Sequence, residues 1–440
     1  MPLATRLSTF LADPRVRPWL PIAAALAIRV ACVWISHGTP VVDVHSFLVW
    51  AERFDEGTNP YAVENLLVNY PPLWIFVCWL CLRVSGVTGM SFDLVIKVFI
   101  SAADAATVWP IRAAARAGGA TGDEATRAAW FYALNPVPIL IASFHGQNDP
   151  VVIGLIMWAA WLVLATPVRF AHELALLLAG ISLTIKPIAM LFLPILLFQM
   201  PTWRRRVLGL AIAMLPSVVV WLPYLVSGYG HVVHALTSYG NVPDFGYIGI
   251  FNSWCNFGHG SAGDPIVKAE QVTFGFRAAW LSLLAIAWWR RRSAGLIDQL
   301  VWLLLCLYLV YGLLAAQYLV WLVPFATAAR SPQLKRVTVW TALTLLAFYE
   351  AHHPDILTGG GFWRLPLLVP INRSQWNGVF LVSHLFLYGN WLRWFWKLAA
   401  PANFWRMVWN WFVDEIKRLS KGAWNWVRAL VRRLAGRGRE

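Results

Sequence analysis

Charged residues and cysteines are both scarce in this sequence. Only 13% of its 440 residues are charged, whereas 59% are hydrophobic. A soluble protein of this composition would expose too much apolar surface to stay dispersed. The five cysteines lie mostly in apolar stretches and provide no disulfide framework. These scarcities exclude a soluble globular domain and a disulfide-stabilised secreted domain, and they favour a protein embedded in a membrane.

Long apolar windows predict the fold class. Windows of about 17–25 residues with almost no charge are long enough to cross roughly 30 Å of hydrocarbon. They predict an all-α, polytopic membrane protein of about 12 transmembrane helices. The predicted spans lie at about 19–36, 71–87, 92–111, 126–143, 150–166, 173–198, 207–226, 274–290, 296–314, 318–330, 335–350 and 376–396. No small-residue cleavage site follows the first span, so we expect it to remain as an anchor.

The net charge of +15 comes from basic residues that cluster at the ends of the predicted spans. Such clusters mark the cytoplasmic side of a membrane protein. Counting from a cytoplasmic N-terminus places the three longest polar segments, 37–70, 227–273 and 351–375, on the outer side. The loop 112–125 also falls outside by this count, although it contains Arg112 and Arg116.

The last part of the chain differs from the rest. Residues 397–440 are rich in basic residues and tryptophan. This composition is typical of an amphipathic helix that lies in the headgroup plane of an anionic leaflet. We therefore predict a transmembrane domain over residues 1–396 and an interfacial tail over residues 397–440 on the cytoplasmic side.

One carboxylate stands close to the end of the first predicted span. Asp43 lies a few residues beyond that span, at the start of the polar segment 37–70. A carboxylate in this position could accept the proton of an attacking hydroxyl, as a general base does. His45, two residues on, could hydrogen-bond the base or an acceptor phosphate. The alternative is that Asp43 caps a helix at the interface.

The order of several short motifs resembles that of the GT-C glycosyltransferases, which use polyprenyl- or dolichyl-phosphate sugars as donors. Asp43, Gly57–Tyr61 and Tyr70–Leu73 look like the first outer loop of these enzymes. The motifs that look like the family-87 branch, which includes polyprenol-phosphate-mannose-dependent mannosyltransferases, are Leu134–Pro136, His145–Asp149, Gly180 and Lys186–Pro187. Two later segments, Gly246–Trp254 and Gln317–Pro324, are similar to motifs of related GT-C branches. The resemblance covers roughly residues 20–330.

The resemblance implies a GT-C-like fold with outer juxtamembrane helices. It also implies an inverting glycosyltransferase with Asp43 in the place of the catalytic aspartate. The donor would be a polyprenyl-phosphate hexose, most simply mannose, and the acceptor a lipid-linked or glycan hydroxyl on the outer face of a bacterial cytoplasmic membrane. Many relatives carry a second acidic residue beside the first, whereas Val44 and His45 follow Asp43 here. A lone carboxylate is a poor Mg²⁺ or Mn²⁺ site, so no metal or other cofactor is expected.

Polar and aromatic side chains on the predicted outer loops and in the motifs are candidates for donor or acceptor binding. They are His45, Asn59, Tyr61, Tyr70, Gln147, Asp149, Lys186, Asn252, Arg277, Gln317, Tyr318, His352 and His353. Interface anchoring is the alternative role for the basic residues and histidines of the last two outer loops. Lys186 falls in the middle of the span 173–198, where an ammonium group must face a cavity, a lipid headgroup or a carboxylate.

The side of the membrane occupied by the His145–Asp149 motif is inconsistent with these assignments. If every apolar segment crosses, the motif lies on the cytoplasmic side, opposite Asp43. Either one segment is re-entrant, or the motif is structural, with Asp149 capping the next span. A transporter or lipid flippase is the competing function, although no internal repeat with paired broken helices is apparent. A scaffold without catalysis is a third.

Overall fold

A computed structural model describes residues 13, 16–38, 41–62, 68, 70–165, 170–237, 244–256, 293–353, 355–358 and 373–399. These residues are helical, with one isolated bridge between Phe245 and Leu314, so the all-α prediction is confirmed for them. The chain divides into the units Met1–Trp391 and Leu392–Glu440. The predicted span 274–290, Arg277 and the tail from residue 400 onward lie outside the described residues.

Helices α1 (Leu20–Ser36) and α4 (Phe92–Ala106) run antiparallel. The buried Arg29 Nε pairs with Asp104 Oδ2 at 2.5 Å. At the other end of the pair, the Gly38 N–H donates to Asp93 Oδ2 at 2.9 Å. Helix α4 therefore begins at the level where α1 ends. We call this level, which also contains Asp43, the Asp43 end of the bundle.

Helices α2 (Val42–Asp55) and α3 (Pro72–Thr88) fill the connection between α1 and α4. They pack side by side: the Phe47 and Trp74 rings lie 5.2 Å apart, and Asp55 accepts a hydrogen bond from Trp79 at 2.7 Å. Because α1 ends and α4 begins at the Asp43 end, α3 does not cross the bundle.

The predicted span 71–87 is therefore wrong as a crossing, although a helix is present there. Its 17 residues are apolar enough to be counted as a shorter apolar helix. Length and hydropathy identify apolar helices but do not say how a helix is oriented in the membrane. What decides its orientation is the pairing of α1 with α4, which lies outside the segment.

Because α3 does not cross, the loop 112–125 and the His145–Asp149 motif no longer conflict with the rest of the predicted topology. Helix α4 continues through α5 (Val108–Ala117) to the opposite end of the bundle, where Arg112 and Arg116 lie. We call that the basic end. Helix α6 (Gly122–Ala133), the turn α7 (Pro136–Ile139) and a π-helical turn, Leu140–His145, then return to the Asp43 end. The His145–Asp149 motif thus lies beside Asp43.

Helices α8 (Asp149–Ala165) and α9 (Ala171–Leu183) follow, and the predicted single span 173–198 is also wrong. The chain turns at Thr184–Lys186 and returns through a 3₁₀ turn, Pro187–Leu191, and α10 (Leu193–Phe198). Pro187 restricts the preceding residue, and Lys186 is extended at φ −152° and ψ 132°, so helix α9 cannot continue.

The reversal is visible where α9 and α10 meet the next helix, α11 (Trp203–Thr237). Leu176, near the start of α9, and Leu197, at the end of α10, both lie within 3.4 Å of the Cβ position of Gly209. The start of α9 and the end of α10 are therefore at the same level. Lys186 lies at the turn between them, at the Asp43 end, rather than in the middle of a span.

The remaining helices complete the bundle. They are α12 (Gly246–Asn256), α13 (Leu296–Val310), a 3₁₀ turn (Ala316–Val320), α14 (Leu322–Ala328), α15 (Leu334–His352), α16 (Asp355–Thr358) and α17 (Arg373–Ala399). Two helical stretches among the described residues, Phe92–Ala117 and Trp203–His234, are long and apolar enough to cross a membrane by themselves. The number of about 12 crossings stays a prediction.

The outer face of α11 is strongly apolar. Val207, Leu208, Leu215, Val218 and Leu222 are each more than half exposed. A continuous surface of this kind would promote aggregation in water and is suited to hydrocarbon. The protein is accordingly a membrane protein, as its composition predicts.

Candidate active site

Asp43 occupies the first turn of α2. The N-cap of the helix is Val41, so Asp43 does not cap it, although a carboxylate near a helix N-terminus is favourable. Its Oδ2 lies 3.2 Å from His145 Nε2. The Asp43 side chain is 41% exposed while that of His145 is 8% exposed, so the carboxylate stays accessible beside a buried partner.

His145 is fixed on its other side by Tyr349 of α15. The Tyr349 hydroxyl lies 3.0 Å from His145 Nδ1, and both residues are buried. A carboxylate only accepts hydrogen bonds, so the tautomer that satisfies both contacts has the proton on Nε2, directed at Asp43. Tyr349 then donates to Nδ1. The result is a chain of hydrogen bonds from Tyr349 through His145 to Asp43.

The backbone at Gly146 brings this histidine to α2. Gly146 has φ +74°, which favours glycine, and it follows the π-helical turn that ends at His145. A Cβ at this position would lie 2.9 Å from Val44 Cγ2 and 3.0 Å from Lys97 Cγ. Glycine is therefore required both for the turn and for the close approach of the motif to α2.

Opposing influences set the pKa of Asp43. Partial burial raises the pKa of the carboxyl group, but the hydrogen bond from His145, the charge of Lys186 and a hydrogen bond from Gln147 lower it. The net pKa lies below its ordinary value. Asp43 is therefore ionised at neutral pH, as a general base must be.

Lys186 forms a second polar centre near Asp43. Its Nζ donates to Asp149 Oδ2 at 2.7 Å, and Trp321 Nε1 donates to Asp149 Oδ1 at 2.7 Å. The ammonium also lies over the rings of Tyr70 and Tyr318, 5.4 and 5.3 Å from their centroids. The sequence required Lys186 to face a cavity, a lipid headgroup or a carboxylate, and in the structure it pairs with a carboxylate. The Asp149 carboxylate, considered above as a cap of α8, binds these two side chains.

Tyr61 and Asn59 support this region. The Tyr61 hydroxyl donates to the Tyr70 carbonyl at 2.7 Å, and the Tyr61 ring packs against Trp221 and Tyr224 of α11 at 5.3 and 5.2 Å. Asn59 Oδ1 accepts a hydrogen bond from the Tyr61 N–H at 3.0 Å. Both residues thus place the loop that carries Tyr70.

Three candidate histidines lie in α2 and at the end of α15. His45 is exposed and lies two positions along α2, a spacing that turns the side chains to different faces. His352 and His353 pack on Phe348, with ring centroids 5.1 and 5.5 Å apart.

Gln317 and Asn252 are buried, at 8% and 7% exposure, in the 3₁₀ turn beside Tyr318 and in α12. Arg277 lies outside the described residues.

The structure therefore gathers six of the predicted site residues at the Asp43 end. They are Asp43, Tyr70, Gln147, Asp149, Lys186 and Tyr318. His145, Tyr349 and Trp321 were missing from the predicted site residues, although His145 lies inside the His145–Asp149 motif. Trp321 lies inside the Gln317–Pro324 motif, which was a usable signal, whereas nothing near Tyr349 in the sequence indicated its role. In the described part of the chain, no three His, Cys, Asp or Glu side chains are grouped closely enough to hold a metal ion.

The first part of the chain is similar to a known protein family. Residues 22–202 match the sequence profile of a family described as alpha-(1→6)-mannopyranosyltransferase, N-terminal domain. This part of the chain is similar to a mannosyltransferase. The match contains α1 to α10 and the motifs around Asp43, His145 and Lys186, and it confirms the expected resemblance to mannosyltransferases.

Solved structures include a more distant likeness. The crystal structure of ArnT from Cupriavidus metallidurans, bound to undecaprenyl phosphate, aligns with a TM-score of 0.46 and 14% sequence identity. The alignment covers 85% of this mannosyltransferase-like chain and 76% of ArnT. No curated protein matches the chain significantly.

Proposed function

We propose that the protein is an inverting GT-C glycosyltransferase that moves mannose from a polyprenyl-phosphate donor to a hydroxyl of a lipid-linked or glycan acceptor. The observation that carries the proposal is the placement of an ionised, accessible Asp43 beside His145 and close to Lys186. The match of residues 22–202 to a mannopyranosyltransferase domain supports mannose as the sugar.

Asp43 acts as the general base. The acceptor oxygen attacks the anomeric carbon while its proton passes to the Asp43 carboxylate, and the bond between that carbon and the phosphate oxygen breaks. The bonding electrons leave with the lipid phosphate. The configuration at the anomeric carbon inverts because attack and departure occur on opposite faces of the sugar. A carboxylate has several acceptor positions, so the hydrogen bond from His145 leaves capacity for the acceptor proton.

Lys186 provides positive charge for the donor phosphate. An ammonium group has three donors, and Asp149 uses one of them in the structure. Asp149 and the rings of Tyr70 and Tyr318 hold the cation in one position before the donor arrives. Charge-assisted hydrogen bonds to a developing phosphate anion favour departure of the leaving group.

The site lies at the outer face of a bacterial cytoplasmic membrane in this proposal. The basic clusters that include Arg112, Arg116 and Arg204 lie at the other end of the bundle, which suits the cytoplasmic side. Metal independence is part of the proposal, because Asp43 has no neighbouring carboxylate in the sequence. Activity should therefore survive complete chelation with EDTA.

The test is transfer of labelled mannose from polyprenyl-phosphate mannose in membranes that contain the full chain. Asp43→Asn and Asp43→Ala should abolish transfer at normal protein abundance. Glu52→Gln, on an exposed position of the same helix, is the matched control and should leave activity unchanged. Full activity in both Asp43 variants would refute the base assignment. Movement of the intact donor across the membrane without sugar transfer would instead support the transporter alternative.

A further inference from the structure

A cavity of about 630 Å³ lies at the basic end of the bundle, away from the candidate active site. It is bounded by the first half of α6, the end of α14, the following turn and the start of α15. Glu124 lines it in the first turn of α6, whereas the chain that follows α6 leads to His145 at the Asp43 end. The volume is in the range of small-molecule binding sites.

The cavity has an excess of positive charge. Arg127, Arg330 and Lys335 line it, and Glu124 is the one acidic side chain among its described lining residues. Arg330 Nη1 pairs with Glu124 Oε2 at 3.1 Å, and the same carboxylate oxygen accepts the Thr121 backbone N–H at 2.8 Å. Arg127 and Lys335 form no ion pair with any described residue. Both side chains are exposed, so they remain available to an anionic ligand at the cavity.

The backbone at Arg330 supports a role for its side chain. Arg330 has φ +52° and is the sole non-glycine residue with positive φ in the described part of the chain. Its N–H bonds to the Thr327 carbonyl and the Ser331 N–H to the Ala326 carbonyl, both at 3.0 Å, which forms a Schellman turn at the end of α14. Glycine is the usual residue at this position, and an arginine here is strained. The turn directs the arginine side chain toward α6.

An apolar surface adjoins the cations. Ala128 and Phe131 contribute it from α6, and Pro332 and Leu334 contribute it from the turn and α15. Ala128 and Leu334 are buried. A ligand that binds both the cationic side chains and the apolar surface has an anionic group next to apolar chains.

We propose that this cavity binds the phosphate headgroup of an anionic phospholipid from the leaflet at the basic end. Guanidinium groups bind phosphate in a bidentate manner, and basic cavities between membrane helices are suited to anionic headgroups. Arg127 and Lys335 neutralise the phosphate, Arg330 supplies a further donor, and the acyl chains lie along Phe131 and its apolar neighbours. The site is separate from the chemistry at Asp43.

The test counts phosphatidylglycerol molecules retained by the purified full-length protein in neutral detergent, measured by native mass spectrometry over a range of lipid concentrations. The double variant Arg127→Gln, Lys335→Gln should weaken the first binding event at least about tenfold, because it removes two of the three cations that line the cavity. Arg204→Gln with Arg336→Gln is the matched control. It removes the same charge from exposed positions that do not line the cavity, and should change affinity less than about twofold.

Ser331→Trp separates the cavity from general surface charge, because it places an indole ring in the cavity and leaves every charge in place. It should abolish the first binding event while the folded protein keeps its thermal stability. Equal loss in the cavity and control variants, or unchanged binding in Ser331→Trp, would overturn the proposal. Binding of inorganic phosphate as tight as that of phosphatidylglycerol would also overturn it, because the site would then take a soluble anion.

Discussion

Asp43 owes its protonation state to residues that are distant in sequence. Burial disfavours its charged form, and His145 and Lys186 outweigh that effect. A base whose pKa is lowered is a weaker proton acceptor, but it is fully deprotonated at every physiological pH. His145 therefore makes Asp43 available as a base and also restricts its orientation.

Removing His145 should change the pH dependence of transfer. In the wild-type protein, kcat/KM should show no acid limb from Asp43 above about pH 5, because the lowered pKa keeps it ionised there. In His145→Asn, the imidazole hydrogen bond that lowers the pKa of Asp43 is lost while the partial burial of Asp43 remains. The pKa rises, and an acid limb should move to higher pH. Profiles of kcat/KM against pH measure this, and superimposable profiles would show that His145 does not act through Asp43.

Tyr349 should act on the reaction through His145 alone. Tyr349→Phe removes the hydroxyl that lies 3.0 Å from His145 Nδ1 and leaves the ring packing intact. One lost hydrogen bond corresponds to about tenfold in rate, so kcat should fall by that factor with little change in the donor KM. Tyr388→Phe, which removes a hydroxyl bonded to the Leu309 carbonyl at 2.9 Å, is the control. A change in KM without a change in kcat would assign Tyr349 to donor binding instead.

At the scale of elements, the turn after the π-helix determines whether the site forms. Gly146→Ala adds a methyl group 2.9 Å from Val44 Cγ2 and places alanine at φ +74°. The strain and the overpacking together should destabilise the fold by about 2–4 kcal/mol and move His145 away from Asp43. Thermal unfolding and transfer activity measure the two effects. Gly122→Ala, at a position with open space and no positive φ, should change neither.

The site residues differed in how far the sequence could predict them. Asp43 and Lys186 were found because a charge in or beside an apolar segment requires an explanation. Tyr70, Gln147, Asp149 and Tyr318 were found through the order of short motifs. Tyr349 was not found, because a tyrosine in an apolar helix carries no local mark of its partner. Its contact with His145 joins residues 204 positions apart.

The prediction of helices was similarly limited. The apolar segments at 71–87 and 173–198 are helical, but one does not cross and the other is two segments. The error at 173–198 had a local signal, since Lys186 precedes a proline. The error at 71–87 had no local signal, because the orientation of α3 depends on the pairing of α1 with α4.

For the whole molecule, the decisive question is which loops share a side of the membrane. The fold places the connection between α3 and α4 at the Asp43 end and the connection between α5 and α6 at the basic end. A topology in which 71–87 crosses would reverse both assignments. Single cysteines in a background without Cys32, Cys78, Cys81, Cys255 and Cys306 can distinguish the two.

Glu56→Cys, Met90→Cys and Asp123→Cys introduce exposed thiols after α2, before α4 and at the start of α6. With an impermeant maleimide on intact cells, positions 56 and 90 should be labelled alike, and position 123 only after permeabilisation. Opposite labelling of positions 56 and 90 would contradict the fold, because α3 would then cross the membrane. If positions 56 and 90 are both protected and position 123 is labelled, the relative placement of the helices holds. The proposal that Asp43 works at the outer face is then wrong, since the whole Asp43 end would face the cytoplasm.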